Sequence, residues 1–237
     1  ALIPLLNAYR HESTEAVWDI ISLTTSELRK FVETNEGAEK KLRAFAGQLA
    51  REQYERLGWH SNEDEPETDT KLRATILSLM IYSEDTEVIA TAKEIFNATP
   101  LEELDPELRP LIVSAAVRYG DQPADLVESL MKVYEKTASV DLQQDIAHGV
   151  TSTKNKVVIS RLLDQVQAGI VIRNQDAARW FVYLLRNRDG RTLAWDWLRS
   201  NWQWIEKTFG GDKSYDDFPR YAGSILTTKE QLEQYRH

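Results

Sequence analysis

The sequence contains no cysteine among its 237 residues. This absence excludes disulfide bonds, thiolate metal sites and cysteine nucleophiles, and it is typical of a protein in the reducing cytoplasm. No apolar run approaches the roughly 20 residues that span a bilayer, and the first residues lack the basic-then-apolar order of a signal peptide. We therefore expect a cytoplasmic protein with no membrane partner.

Basic residues are fewer than acidic residues. The chain has 29 lysines and arginines against 38 aspartates and glutamates, which gives a net charge of −9 at pH 7. This sign opposes binding to a phosphate backbone. We therefore do not expect nucleic acid as a partner.

Strand signals are few. The sequence shows no alternating run of β-branched residues bounded by a two-residue glycine turn, whereas a 3.6-residue apolar period recurs almost throughout. The sequence therefore predicts an all-α fold. Predicted helices include those over 13–23, 26–34, 106–119 and 190–208.

The predicted helices have a repeating arrangement. From about Asp69 onward they pair at a spacing of roughly 35–40 residues, which is the length of a helical hairpin repeat. We expect one helical domain over 1–237, with an N-terminal helical group at 1–58, an acidic loop at 59–68 and HEAT-like helical pairs over 69–237. Such stacked hairpins would form a right-handed, HEAT- or armadillo-like superhelix.

The first residues are apolar. Leu2, Ile3, Leu5 and Leu6 resemble part of a packed helix, whereas most chains begin with a polar and loosely held segment. This pattern indicates a piece of a longer protein whose packing partners lie upstream.

The residues that could support catalysis or metal binding do not form a recognisable set. Residues 11–15, His-Glu-Ser-Thr-Glu, approach the H-E-x-x-H zinc signature, but Glu15 stands where the second imidazole is required. His60 has Glu63 and Asp64 nearby, but in a polar loop where a preorganised coordination sphere is costly. No phosphate-binding glycine loop or paired nucleophile and base is found. We predict no catalytic residue and no metal ligand in this chain.

The region after residue 190 is rich in tryptophan. Four indoles fall within ten residues, at Trp195, Trp197, Trp202 and Trp204. A helix with this many indoles is expected to be buried on more than one side. Aromatic ladders can also stack on nucleic-acid bases or sugars, but the acidic charge argues against bases. Core packing is the favoured interpretation.

Four arginines surround the turn at residues 187–190: Arg179, Arg186, Arg188 and Arg191. Guanidinium groups in such a cluster can bind a carboxylate through two hydrogen bonds. One interpretation pairs them with Asp176, Asp189 and Asp196 at helix ends. The other places Arg186, Arg188 or Arg191 in contact with a peptide substrate or a neighbouring domain. Both remain open at this point.

Several blocks of sequence lie in a characteristic order: 57–59 (Leu-Gly-Trp), 71–73 (Lys-Leu-Arg), 87–96, 105–110, 172–176 and 187–202. Together they resemble the C-terminal helical domain of the aminopeptidase N family, which includes the ER aminopeptidases. The last block, from Asn187 to Trp202, is similar to the family pattern N-x-x-G-R-x-x-A-W-x-F/W-L-x-x-N-W. The resemblance covers almost the whole chain.

The resemblance implies a non-catalytic domain that packs on the catalytic domain of a zinc aminopeptidase and encloses its substrate cavity. The parent enzyme would remove N-terminal residues from peptides by means of zinc-activated water. Its zinc and catalytic motifs would lie upstream, so this chain itself would hold no cofactor. The implied partners are the catalytic domain and peptide substrates.

Two other functions compete with this one. The first is a free-standing HEAT-like scaffold that binds a protein partner, which would explain the helices but not the family blocks. The second is an independent all-α enzyme, which would require an acid, base, nucleophile or ligand set that the sequence does not show.

Overall fold

A computed structural model of the chain describes residues 2–32, 34–62 and 64–236. The described residues form helices and no strand, so the all-α prediction is confirmed. Two short 3-10 helices occur at Leu101–Glu103 and Lys213–Asp216. The α-helices are α1 Leu2–Ala8, α2 Glu15–Val32, α3 Glu36–Leu57, α4 Glu67–Tyr82, α5 Thr86–Ala98, α6 Arg109–Tyr119, α7 Pro123–Lys136, α8 Val140–Val150, α9 Lys156–Ala168, α10 Asn174–Arg186, α11 Arg191–Ser200, α12 Trp202–Phe209, α13 Asp217–Ile225 and α14 Lys229–Arg236.

The chain divides into two compact units, Ala1–Ala115 and Ala116–His237. In the first unit, α2, α3 and α4 pack on one another; in the second, α7 packs on α8, and α10 packs on α9, α11 and α13. Consecutive helices that are joined by short loops and pack together form helical hairpins, as predicted. The HEAT-like character of these pairs and the predicted division at residues 59–68 stay predictions.

Helix α2 is continuous where the sequence predicted two helices, over 13–23 and 26–34. At the predicted break, Thr25 is buried and its hydroxyl donates to the Ile21 carbonyl at 2.8 Å. Because this bond satisfies the hydroxyl within the helix, Thr25 does not end the helix. The predicted break is therefore wrong. The part of the prediction that concerns Glu33 lies outside the described residues.

Polar caps mark where several helices begin. In each case the side-chain oxygen of the residue before the helix accepts hydrogen bonds from backbone amides of the first turn, which have no partner within the helix. Such a cap contributes about 1 kcal/mol. The capping residues are Asn35 for α3, Asp85 for α5, Ser139 for α8 and Asn155 for α9.

The core of the first unit is centred on α2, α3 and α4. Trp18 of α2 is fully buried, and its indole Nε1 donates to the Glu12 carbonyl at 2.6 Å. Leu49 of α3 and Ile76 of α4 are also buried. Removing a side chain of this size from water contributes about 1.5–3 kcal/mol, so these three helices depend on one another for stability.

The predicted acidic loop at 59–68 is held in place by Arg73. The Nη1 atom of Arg73 donates to Glu65 Oε1 at 2.7 Å, its Nη2 atom bonds Glu65 Oε2, and both Nε and Nη2 reach the Leu57 carbonyl at 3.2 Å. His60 and Asn62 are exposed, but the side chain of Glu65 is only 8% exposed. The Glu65 side chain is shielded from solvent because its charge is paired with the buried guanidinium of Arg73.

The predicted helix over 190–208 is two helices, α11 and α12, which are separated at Asn201. The side chain of Asn201 donates to the Trp197 carbonyl at 2.8 Å, and its backbone amide bonds the same carbonyl at 3.0 Å. Asparagine readily forms local bonds of this kind that compete with helix continuation. The prediction of one helix is therefore wrong.

The tryptophans of this segment belong to an aromatic cluster in the second unit. Trp195 and Trp197 are buried, whereas Trp202 and Trp204 are half-buried. The ring centroid of Trp197 lies 6.0 Å from that of Phe181 and 5.8 Å from that of Trp204. Packing in the core, the favoured interpretation of the sequence, is confirmed for the two buried indoles.

Candidate functional site

The turn between α10 and α11, residues 187–190, is fastened to the loop that follows α8. The side chain of Asn187 donates to the Thr151 carbonyl at 2.8 Å and to the Thr153 carbonyl at 2.7 Å. Thr151 and Thr153 are both buried. A single side chain thus provides a donor to each of two backbone carbonyls that follow α8.

A second attachment of the same turn involves Asp189. Its carboxylate receives a hydrogen bond from Arg118 Nη2 at 2.8 Å, and Arg118 Nη1 donates to the Ser152 carbonyl at 3.0 Å. Both side chains are partly exposed, so the ion pair itself contributes less than about 1 kcal/mol. Its main effect is to hold the turn in one orientation. The sequence analysis did not identify Arg118 as part of this site.

Gly190 is required by the close approach of its surroundings. A Cβ at this position would lie 2.9 Å from the Leu184 carbonyl oxygen and 3.4 Å from a methyl group of Ile159. The obstacle at 2.9 Å is backbone and cannot rotate away. The glycine of the Asn187–Trp202 block is therefore explained by packing between α9 and α10.

The three arginines predicted as contact residues have different environments. Arg186 is exposed, and its guanidinium carbon lies 5.6 Å from the centre of the Tyr221 ring. Arg188 is also exposed. Arg191 is half-buried, and its Nε donates to the Leu185 carbonyl at 3.2 Å, near the end of α10. Contact of any of the three with a peptide or another domain stays a prediction.

The aspartates near these arginines have the following partners. Asp176 lies 4.0 Å from Arg179, as the pairing interpretation expected. Asp189 pairs with Arg118, and Asp196 lies 3.8 Å from Arg199, neither of which belongs to the predicted cluster. The pairing interpretation is thus supported at Asp176, whereas the other two carboxylates also bind arginines from elsewhere in the second unit.

A surface cleft in the second unit lies beside the aromatic cluster and was not indicated by the sequence. Its volume is about 690 Å³; α11 and α14 contribute most of its lining residues, and α12 and α13 contribute one each. The Trp195 indole donates to Gln234 Oε1 at 2.7 Å, and the Tyr235 hydroxyl donates to the Pro219 carbonyl at 3.0 Å. The lining residues are Trp195, Leu198, Arg199, Trp202, Pro219, Gln234, Tyr235 and Arg236.

The H-E-x-x-H-like segment is not placed as a zinc motif. His11 precedes α2 and contacts Glu52 at 2.5 Å, so the segment does not lie on one helical face. Glu12 accepts hydrogen bonds from Thr14 and Ser13; the Thr14 hydroxyl is the main reason why the pKa of Glu12 is lowered.

No group of three or more histidines, aspartates or glutamates is placed to hold a metal ion within residues 2–32, 34–62 and 64–236. The described residues therefore do not fit a zinc site. His60 is exposed, and its neighbour Glu63 lies outside the described residues. In the same described part of the chain, no helix is both long and apolar enough to cross a membrane.

Comparison with known proteins shows which sequences this chain is similar to. The chain is 32% identical to Aminopeptidase N of Lactobacillus helveticus over 239 residues, and 31% identical to Aminopeptidase N of Lactococcus lactis subsp. lactis (strain IL1403) over 237 residues. These matches cover 100% and 99% of the chain but 28% of each relative. Aminopeptidase A of Gloydius brevicauda is 28% identical over 97% of the chain and 24% of its own length.

The chain thus spans less than a third of the length of the curated relatives that it matches. The family model described as "ERAP1-like C-terminal domain" matches residues 1–237. This match covers all of the sequence blocks that carry the resemblance, including the turn at residues 187–190. The chain belongs to the family of ERAP1-like C-terminal domains.

Proposed function

We propose that this chain is the non-catalytic C-terminal domain of a zinc-dependent aminopeptidase. The observation that carries the proposal is the family match over the whole chain, together with relatives that are aminopeptidases and are more than three times as long. The parent enzyme would remove N-terminal residues from peptides. Its zinc would be bound upstream, where it would polarise the scissile carbonyl and activate water.

The domain's own contribution would be shape. Helical hairpins present long surfaces formed by many short elements, and such surfaces suit a wall around a cavity. In this proposal the chain packs on the catalytic domain and encloses the substrate cavity, so that it limits which peptides enter. The HEAT-like stacking over 69–237 and a cytoplasmic location belong to the same proposal.

The exposed arginines of the α10–α11 turn are the proposed contact residues. Hydrogen bonds of Asn187 and Asp189 hold the backbone of the turn. Arg186 and Arg188 are therefore exposed side chains on a well-anchored backbone. A turn held in this way loses less backbone freedom when one of its arginines binds a carboxylate. Arg191 is half-buried, so less of its side chain is accessible to a peptide or another domain than at Arg186 and Arg188.

The alternative is a free-standing scaffold for a foreign protein. It is compatible with the helices, but the coverage of only 28% of each aminopeptidase N favours a part of a longer chain. Under the scaffold hypothesis, the chain would capture a specific partner without any linked zinc domain.

Zinc analysis of the intact parent protein tests the proposal. All four histidines of this chain, His11, His60, His148 and His237, are changed to glutamine, which removes each imidazole but retains a side chain of similar size. We expect unchanged zinc content and an unchanged rate of release of N-terminal residues from peptides. Loss of zinc from a folded variant, or an intact parent that neither binds zinc nor cleaves peptides, would contradict the proposal.

A further inference from the structure

Exposed apolar side chains are concentrated near the beginning of the chain. Among the described residues, twelve large apolar side chains are exposed, and seven of them lie within the first 31 residues: Leu2, Ile3, Leu5, Tyr9, Ile20, Leu23 and Phe31. The other five are spread over residues 140–235. Single exposed apolar residues are ordinary, whereas a concentration of them is typical of a binding surface.

Three of these residues form a stripe on α2. At about 100° of rotation per residue, Ile20, Leu23 and Phe31 fall within about 80° of one another around the helix and extend along about 16 Å of it. They are 64%, 67% and 82% exposed. We call these three residues the outer α2 face.

The opposite side of α2 is buried by packing within the first unit. Trp18, Ile21 and Thr25 are buried, and α2 packs on α3 and α4. Helix α2 is therefore apolar on two sides, a pattern that is typical of a helix buried between two bodies. Only one of these sides is covered within the first unit.

The outer α2 face also carries little net charge. Glu27 lies between Leu23 and Phe31 in the stripe, and its carboxylate pairs with Lys30 at 2.7 Å within the same helix. A partner would not need to supply a cation to compensate for Glu27. The surface therefore suits an apolar counterpart rather than a charged one.

The comparisons indicate what this counterpart is. The chain spans 28% of Aminopeptidase N from Lactobacillus helveticus, and the matching family is described as a C-terminal domain, so most of a parent chain of this kind precedes residue 1. That segment joins at α1, where Leu2, Ile3 and Leu5 are also exposed. A covalently linked segment is present near this surface at high effective concentration.

We propose that the outer α2 face packs against an apolar surface in the part of the parent chain that precedes residue 1. This inference rests on the proposed function, because it takes the chain to be the C-terminal part of a longer protein. It adds the surface through which that part is joined. The outer α2 face belongs to the first unit, whereas the arginine turn belongs to the second.

Thiol labelling of the intact parent tests this docking surface. The chain has no cysteine of its own, so a single introduced thiol is followed without ambiguity in its own proteolytic peptide by mass spectrometry. The test variants are Leu23→Cys and Phe31→Cys. The matched controls are Val157→Cys and Ile170→Cys, whose native side chains are 71% and 82% exposed. Each reaction rate with N-ethylmaleimide is divided by the rate in urea.

We expect labelling at positions 23 and 31 to be at least tenfold slower than at 157 and 170, at every protein concentration. Equal rates at all four positions would overturn the proposal. Protection that disappears on dilution would also overturn it, because a second copy of the protein would then be the occupant.

The same preparations separate this inference from the proposed function. Zinc content and peptide cleavage report on the aminopeptidase assignment, whereas the labelling rates report only on what covers α2. An active zinc enzyme with fast labelling at position 23 would refute the docking surface alone. A protein without zinc or activity would refute the proposed function, whatever the labelling rates.

Discussion

Arg73 and Glu65 form a two-point ion pair in which the two side chains are only 2% and 8% exposed. The same guanidinium also bonds the carbonyl of Leu57, the last residue of α3. One arginine of α4 thus connects the end of α3 with the loop that follows it. It also joins two of the sequence blocks that resemble the aminopeptidase N family.

Changing Glu65→Gln is expected to destabilise the protein by about 3 kcal/mol, because it leaves the charge of Arg73 buried without its counter-charge. The measurement is urea unfolding at neutral pH. The control is Glu67→Gln: the Glu67 side chain is 89% exposed and lies 3.8 Å from Lys71, so the expected loss is below about 0.5 kcal/mol. Equal losses in the two variants would show that the buried ion pair contributes no more to stability than the exposed one.

The contribution of Glu65 should depend on pH. Hydrogen bonds from Arg73 lower the pKa of Glu65 in the folded protein, whereas in the unfolded chain a glutamate titrates near about 4.3. The stabilisation is therefore present above about pH 4.3 and is lost as the pH falls through the lower, folded pKa. We expect the stability difference between wild type and Glu65→Gln to be constant above about pH 5 and to shrink below about pH 4. A difference that grows on acidification would contradict this sign.

Asn187→Ala should destabilise the second unit by about 1–3 kcal/mol, because the carbonyls of Thr151 and Thr153 lose their donor. Asn187→Asp has the same shape but directs a carboxylate oxygen at those carbonyls. We therefore expect it to be at least as destabilising as the alanine variant. Thermal unfolding of both variants provides the measurement, and a near-wild-type aspartate variant would show that the two amide bonds are unimportant.

Gly190→Ala should lower stability by about 1–3 kcal/mol, because the new methyl group meets the Leu184 carbonyl. Gly211 provides the matched control, since nothing lies within 4 Å of a Cβ built there. Gly211→Ala should be neutral or slightly stabilising through the reduced freedom of the unfolded chain. If chemical denaturation gave both variants the same stability, the close approach at Gly190 would not be the reason for a glycine.

Arg186→Ala in the intact parent is expected to lower kcat/KM for long peptides by about two- to fivefold, the range of one exposed ionic contact. Cleavage of dipeptide-sized substrates should not change, because they would not reach the turn. Arg161→Ala, an exposed arginine of α9, is the control. Wild-type kinetics of Arg186→Ala and Arg188→Ala on both substrate lengths would remove these residues from the proposed contact surface.

The sequence was sufficient for the helical class, and the helix predicted over 106–119 corresponds to α6, Arg109–Tyr119. Apolar periodicity is local, so it can be predicted from a short window. The family resemblance also depended on local blocks. Of the candidate site, the sequence located the turn at 187–190 and its arginines.

The predictions that failed concern features that depend on how side chains pack and bond in the folded chain. The continuity of α2 depends on a hydroxyl bond within the helix that lets Thr25 be buried. The break between α11 and α12 occurs at Asn201, whose side-chain amide donates to the Trp197 carbonyl. An asparagine side chain can either form such a bond or extend into solvent, and the sequence does not show which of the two occurs. Propensity alone does not decide such cases, because tertiary packing outweighs differences of a few tenths of a kcal/mol. The cleft beside Trp195 was missed because its walls come from four separate helices.

The amino-acid sequence by itself determined that this protein is helical, acidic and free of cysteine, and which of its segments resemble a known family. Only the tertiary structure decided that the Glu65 side chain is shielded by Arg73, that Asn187 and Asp189 fasten a turn, and that α2 has a second apolar face open to solvent. These features join residues that are far apart in sequence. Their partners are chosen by distance and burial in the folded chain, which no local pattern encodes.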